Sequence, residues 1–222
     1  QIKNEYFLSS GNKENLSFVL KILKIFKLNN KILLKTLNKF KGLKYRQQII
    51  FKNKNLTIIN DSKSTSFASS ENLLKNLNYV YWILGGIPKK SDQFKLSKKH
   101  CKNFKAYIFS KHHKEFKKNL KNKIIVKNLK DLKDILNEIF LDIKKKKLEK
   151  NIILFSPAGT SIDNINNFVD RVLYFNKVIK KSINDSLYFF LYIFLSIVVK
   201  IVYTDFFFNI TFFFILIIFF IC

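Results

Sequence analysis

Apolar residues recur at three- and four-residue steps from Lys13 to Phe26, through Leu16, Val19, Leu20, Leu23, Ile25 and Phe26. That period predicts an amphipathic helix. A second helical pattern runs from Asn30 to Phe40, with Gly42 placed to serve as its C′ glycine. From there short apolar runs alternate with helical ones. Strands are predicted at Leu56–Asn60, Tyr79–Leu84, Ala106–Ser110, Lys123–Val126 and Ile152–Phe155. Helices are predicted between them at Ser69–Leu77, Lys111–Leu120 and Leu129–Lys145, and after them at Asp163–Ile179. Strands of four to six apolar residues separated by helices imply βαβ units around a buried, mostly parallel sheet. The expected class is therefore α/β, Rossmann-like, with helices on both faces and right-handed crossovers. In such sheets ligands collect beyond the carboxyl ends of the strands.

The pattern breaks after Ser186. Leu187–Cys222 carries only Lys200 and Asp205 as charges and is crowded with Phe, Ile and Leu. A bilayer span needs about 20 mostly apolar residues. The uncharged runs Leu187–Val199 and Phe206–Cys222 each fall short of that, although Lys200 could snorkel. The tail is read in two ways, as membrane-spanning or as run-on sequence of an AT-rich frame.

Composition changes the picture less than its extremes suggest. Of 222 residues, 41 are Lys or Arg and 15 Asp or Glu, a formal charge of +26. Such a balance points to an anionic partner: nucleic acid, phosphate or acidic lipid. The Lys residues, however, are spread along the whole chain together with excess Asn, Ile and Phe. That is compositional drift rather than a patch, and most of the charge is read as solvated surface. The densest run, Lys144–Lys147, closes a predicted helix, where cations suit the carbonyl end. Cys101 and Cys222 form no paired motif, which suggests neither a disulfide framework nor a zinc site and fits a reducing, cytoplasmic compartment. His100, His112 and His113 stand in Lys-rich stretches and are read as surface residues. The chain begins at Gln1 without a basic-then-apolar leader, and its true start is expected upstream.

Three strand exits carry the candidate chemistry. "NDSKST" puts Asn60, Asp61, Ser62, Lys63 and Thr65 just past one strand. An Asp there can accept from ribose hydroxyls and a Lys can face a phosphate or carboxylate; the plainer reading is an Asx-turn that caps the next helix through Thr65 or Ser66. "GGIPKK" turns sharply at Gly85–Gly86, and its Lys89 and Lys90 either point at the rim or belong to a solvated loop. "SPAGTSIDNINNF" makes a compact turn at Pro157–Thr160 and is expected to expose the amides of Gly159, Thr160 and Ser161 at a helix mouth, a site for an anion. Simple capping by Ser161 and Asp163 is the alternative.

Each motif alone is weak, but their order is specific. Asp-Ser-Lys-x-Thr, then Gly-Gly-x-x-Lys, then Ser-Pro-Ala-x-x-Ser-x-Asp resembles the C-terminal domain of the Mur ligases, over about Ser10 to Lys180. "SGNKENLSFVLKI" is similar to the end of that family's central domain, with Asn12 and Asn15 retained and Gly11 where His is usual. "GLKYRQQ" is similar to its hinge, with Arg46 kept and Tyr45 and Gln48 replacing His and Glu. The resemblance divides the chain into 1–42, the end of the central ATPase domain and hinge; 43–186, the C-terminal domain; and 187–222, the tail.

The resemblance implies an ATP- and Mg2+-dependent, amide-forming ligase of peptidoglycan synthesis, in the branch that adds D-glutamate to UDP-N-acetylmuramoyl-L-alanine. Thr65, Lys89, Ser161, Ile162 and Phe168 match the family's D-glutamate site. Asp61, Arg46, Lys63 and Asn12 match nucleotide positions, on the ribose or phosphate side for the first three and the adenine side for Asn12. No residue matches a covalent catalyst, and the magnesium ligands are expected on the central domain. The five glycines, 11, 42, 85, 86 and 159, form no Gly-x-x-x-x-Gly-Lys-[Ser/Thr] loop. Without it the chain is expected to be a ligase fragment that does not turn over alone. A folate polyglutamate synthase of the same superfamily, or a basic module for nucleic acid or membrane, are the rival readings.

Overall fold

The apolar runs assemble in a computed structural model as one six-stranded sheet. The structure describes residues 2–8, 10–27, 29–146, 150–160 and 169–184. The strands are β1 (Gln48–Lys52), β2 (Leu56–Asn60), β3 (Val80–Leu84), β4 (Phe104–Ile108), β5 (Ile125–Asn128) and β6 (Asn151–Phe155), in spatial order β1-β2-β6-β3-β4-β5. β1 is antiparallel to β2, and every other pairing is parallel. The helices are α1 (Ser10–Ile25), α2 (Asn30–Lys39), α3 (Phe67–Leu74), α4 (His113–Leu120) and α5 (Leu132–Lys146). Residues 169–176 are helical and end a first unit, Gln1–Asn176; in the second, Lys177–Cys222, the described residues 177–184 are helical.

Side-chain alternation decides which helix covers which face. Val80, Trp82 and Leu84 of β3, with Ile59, Leu154, Phe104, Ala106 and Ile108, form one core with Phe67, Leu73 and Leu74 of α3 and Phe116 and Leu120 of α4. Residues of opposite parity face the other way. Tyr81 Oη donates to Asp142 of α5 at 2.7 Å, Lys105 pairs with the same carboxylate at 2.8 Å, and Phe155 stacks on Phe175 with ring centroids 4.1 Å apart. All five residues of β3 are buried, which is why "VYWIL" is a continuous apolar run.

Several boundaries differ from the sequence expectation. β1 was not anticipated: it is an edge strand with one half-buried side, joined to β2 through an Asx-turn in which Asn53 accepts from Asn55 N and Leu56 N. Gly42 is not the C′ glycine of α2. That helix is capped by Phe40 in an extended conformation, while Gly42, at φ +77°, sits where a Cβ would come 2.6 Å from the Tyr6 ring. α3 begins two residues earlier than expected, because Ser66 and Ser69 close a reciprocal capping box. Of the helix expected at Asp163–Ile179, residues 161–168 lie outside the described residues. The hydrophobic stretch 187–222 lies outside them too; among the described residues no helix is long and apolar enough to cross a membrane.

Candidate functional site

β2, β6 and β3 are neighbours, so their exits form one rim although "NDSKST" and "SPAGTS" are far apart in the chain. Asn60 is in register with Phe155, and Phe155 with Ile83. Backbone bonds continue past the strands and stitch the loops: Asp61 N to Phe155 O (2.8 Å), Gly85 N to Pro157 O (3.0 Å) and Ala158 N to Ser64 O (3.2 Å). Ile87 and Thr160 then exchange both bonds, at 3.1 and 2.9 Å. This corrects one expectation: the Thr160 amide is not open to an anion, because it is used in that bridge. Gly86 makes the seam possible. At φ +92° its missing Cβ would lie 1.8 Å from Thr160 O.

Arg171 locks the rim from behind. Its guanidinium is buried and donates to Gly159 O at 3.1 Å and Ser62 O at 3.0 Å, joining the β6 exit to the β2 exit. Burial pushes its pKa down to about 10, so the cation persists at neutral pH. It is not among the candidate site residues named from the sequence. A compositional signal was present, since only two of the 41 basic residues, Arg46 and Arg171, are Arg. A planar, multi-donor fork cannot be replaced by a lysine where two carbonyls must be held at once.

The residues matched to nucleotide positions converge. Asn12 Nδ2 donates to Gln47 Oε1 at 3.0 Å, and Gln47 N donates to Asp61 Oδ1 at 3.1 Å. Arg46 exerts a favourable charge on the same carboxylate. Lys63 N donates to Tyr45 O at 3.2 Å, tying its loop to the hinge. Asp61 is buried, and its other oxygen accepts from Ser156 Oγ at 2.9 Å. Burial raises its pKa to about 6, against the pull of Ser156, Gln47 and Arg46. Any ribose contact by Asp61 would use the remaining lone pairs of oxygens already engaged by the protein. The exposed cations Arg46 and Lys63 fit the charged side of a nucleotide. For Mg2+ the fit fails: the Asp61 carboxylate is turned inward, and among the described residues no three His, Cys, Asp or Glu gather as a metal site.

Of the residues matched to D-glutamate, Thr65 and Lys89 share one corner. Thr65 directly precedes Ser66, the N-cap of α3. Phe67 N, the first amide of α3, donates to Asp92 Oδ2, and Asp92 N donates to Lys89 O at 3.1 Å. The Lys89 loop is thereby pinned beside Thr65, with the Lys89 side chain exposed. Ser161, Ile162 and Phe168 lie outside the described residues. Asn60 makes the expected Asx-turn, accepting from Ser62 N at 3.1 Å, and Ser66 rather than Thr65 is the helix cap.

No family model matches the chain. Sequence relatives do. The UDP-N-acetylmuramoylalanine--D-glutamate ligase of Wolbachia sp. subsp. Brugia malayi is 30% identical over 172 residues, 78% of this chain and 34% of the relative. The proteins of that name from Petrotoga mobilis and Buchnera aphidicola subsp. Schizaphis graminum are each 35% identical, over 70% and 77% of this chain and 36% and 38% of their own lengths. The chain thus spans about a third to two-fifths of the curated relatives it matches. Among solved structures, the UDP-N-acetylmuramate-alanine ligase MurC of Thermotoga maritima superposes with a TM-score of 0.52 at 15% identity, over 80% of this chain and 39% of that one, a likeness of fold. With the exits of β2, β3 and β6 on one rim and about 78% of its length matched by curated D-glutamate ligases, the chain is a relative of the Mur ligases.

Proposed function

We propose that this chain is the C-terminal, glutamate-holding part of a cytoplasmic, ATP-dependent ligase that adds D-glutamate to UDP-N-acetylmuramoyl-L-alanine in peptidoglycan synthesis, acting with N-terminal and central domains. The observation that carries this reading is the pinned corner of Thr65 and Lys89 on the rim shared by β2, β3 and β6. Lys89 presents an ammonium to a carboxylate of the amino acid, and Thr65 a hydroxyl. Ser161 and Ile162 would receive the second carboxylate and Phe168 would wall the pocket. Arg46, Lys63 and Asn12 face the nucleotide side. ATP, when bound, supplies the phosphoryl group that activates the acyl carboxylate. The chain's own residues hold the incoming amine in line, which removes much of the entropic barrier to amide formation. The phosphate-cradling loop and magnesium ligands would come from the central domain.

Calorimetric titration of the chain with D- and L-glutamate tests this. D-glutamate is expected to bind in preference to L-glutamate, and Lys89→Ala to weaken it about tenfold, the effect of one exposed charge-assisted contact. Equal binding of both enantiomers, or affinity indifferent to Lys89→Ala, would overturn the assignment. The L enantiomer winning would favour a folate polyglutamate synthase-like domain. Chain supplied with ATP and UDP-N-acetylmuramoyl-L-alanine but no other protein is expected to release no ADP.

A further inference from the structure

Behind the rim runs a row of hydroxyls that neither the motifs nor the proposed chemistry uses. From Asp61 Oδ2 it passes to Ser156 Oγ (2.9 Å), Ser70 Oγ (2.7 Å), Ser64 Oγ (2.8 Å) and Ser69 Oγ (2.7 Å), and ends on the Ser66 carbonyl (2.8 Å). We propose that Ser156, Ser70, Ser64 and Ser69 act as one oriented hydrogen-bond chain, positioning residues that set the N-cap of α3, beside Thr65, from the protonation state of Asp61.

The argument is a count of protons. A hydroxyl carries one donor proton. Four hydroxyls strung between a carboxylate and a carbonyl make five oxygen–oxygen links but supply four protons. With Asp61 ionised, one link must lack a proton. Ser156 then donates to Asp61, Ser70 to Ser156 and Ser64 to Ser70. Ser69 has to choose between Ser64 and the Ser66 carbonyl. A proton on Asp61 supplies the fifth donor, reverses the row and completes every link. Ser64, Ser70 and Ser156 are buried, so bulk water does not relieve the conflict.

The groups facing Asp61 oppose one another. Arg46 and the Gln47 amide from the hinge favour the carboxylate. Lys63 stands two residues away on the same loop, and Arg171, from the helical segment 169–176, reaches the adjacent Ser62 carbonyl. Burial works against all of them. The far end of the row is the capping box, where Ser66 N and Ser66 Oγ both meet Ser69 Oγ, at 3.2 and 3.0 Å. Any change in where Ser69 donates is felt at Ser66, next to Thr65. The consequence for glutamate rests on the function proposed above; the coupling itself does not.

The test is a carboxyl-carbon NMR titration of the full chain, with the backbone amides of Ser66 and Ser69 followed in parallel. Asp61 should titrate with a midpoint of about 6, and both amides should move with that midpoint. Ser70→Ala, which cuts the row, should lower the Asp61 midpoint by about one unit and leave the amides flat, because ionisation no longer costs a link. Ser70→Thr should restore both signals, and Ser64→Ala should uncouple the amides as Ser70→Ala does. Amides that stay flat through the wild-type Asp61 titration, or a midpoint unmoved by both alanine variants, would overturn the proposal. D-glutamate affinity should change about threefold across the same pH window in the wild type and not in Ser70→Ala. Coupled titration with no glutamate binding at any pH would support the hydrogen-bond chain and overturn the glutamate site instead.

Discussion

Asp61 shows how one residue can be part of a recognisable motif and still do its main work inside the protein. Its carboxylate is buried, and its pKa is raised from an ordinary 3.8 to about 6 because desolvation outweighs the hydrogen bonds from Ser156 and Gln47 and the charge of Arg46. The folded state therefore binds more protons than the unfolded state between those two values. Its contribution to stability is fully present below pH 3.8, declines as pH rises through about 6, and is lost above. A shift of this size corresponds to at most about 3 kcal/mol. Asp142 and Asp131 bear on the opposite, acidic limb. Burial pushes Asp142 up, but the hydrogen bonds from Lys105 and Tyr81 and the charges of Lys105 and Lys146 win and hold it below the usual range; the Tyr174 hydroxyl leads in holding Asp131 down. Those contributions are present above pH 3.8 and lost as pH falls below it. Asp61→Asn isolates the first effect. The variant amide can donate to Ser156 as a protonated Asp61 would, so at pH 7 it should be more stable than wild type by about 1–2 kcal/mol, with little difference left at pH 4. Urea unfolding at the two pH values reads this, and a variant less stable at pH 7 would show that the buried carboxylate is well satisfied when charged.

Elements meet at this rim because of Arg171 as much as because of strand pairing. Arg171→Met would leave the carbonyls of Ser62 and Gly159 without their guanidinium donor and is expected to destabilise the chain by about 2–4 kcal/mol. Arg171→Lys keeps the charge but not the fork, and should recover less than half of that loss in urea unfolding; full recovery would mean that charge, not two-pronged geometry, holds the loops. How far such elements can be read from sequence depends on what makes them. β2, β3 and β6 are buried on both sides, so their apolar runs announce them, and the carboxyl ends of those strands carry the motifs. β1 escaped because an edge strand needs only partial burial, and its Gln48 and Lys52 ends look like loop. β4 begins and ends two residues before the expected Ala106–Ser110, since Phe109 continues the apolar run beyond the ladder and the buried Ser110 hydroxyl serves the Gly86 carbonyl. α5 starts at Leu132 rather than Leu129, after a turn in which Asp131 accepts from Lys133 N at 3.0 Å. Thr65, Lys89, Asp61 and Asn12 can be singled out in the sequence because each sits in a short ordered motif; the roles given to them belong to the proposed function. The serine row cannot be singled out in this way: Ser70 and Ser156 are separated by 86 residues and meet only after β6 inserts between β2 and β3.

At the scale of the whole molecule the question is what a charge of +26 does if it is not a nucleic-acid site. Sequence-specific binding needs a groove-reading element, and even general phosphate binding with high affinity needs cations concentrated along one track. Here some basic residues are tied to acids: Lys105 and Lys146 share Asp142, and Lys127 pairs with Glu138. The remaining basic residues are spread along the chain, which favours anions in general without one track for a long polyanion. Binding to duplex DNA should then be weak, indifferent to sequence, and lost as salt rises from about 50 to about 200 mM, as expected when affinity is counterion release alone. D-glutamate, whose contacts at Lys89 and Thr65 are local and directional, should lose much less affinity over the same range. Fluorescence anisotropy with two unrelated duplexes, run beside the calorimetric titration at matched salt, separates the two behaviours. DNA binding that survives the higher salt, or that prefers one duplex, would make the basic surface a recognition element rather than a solvated coat.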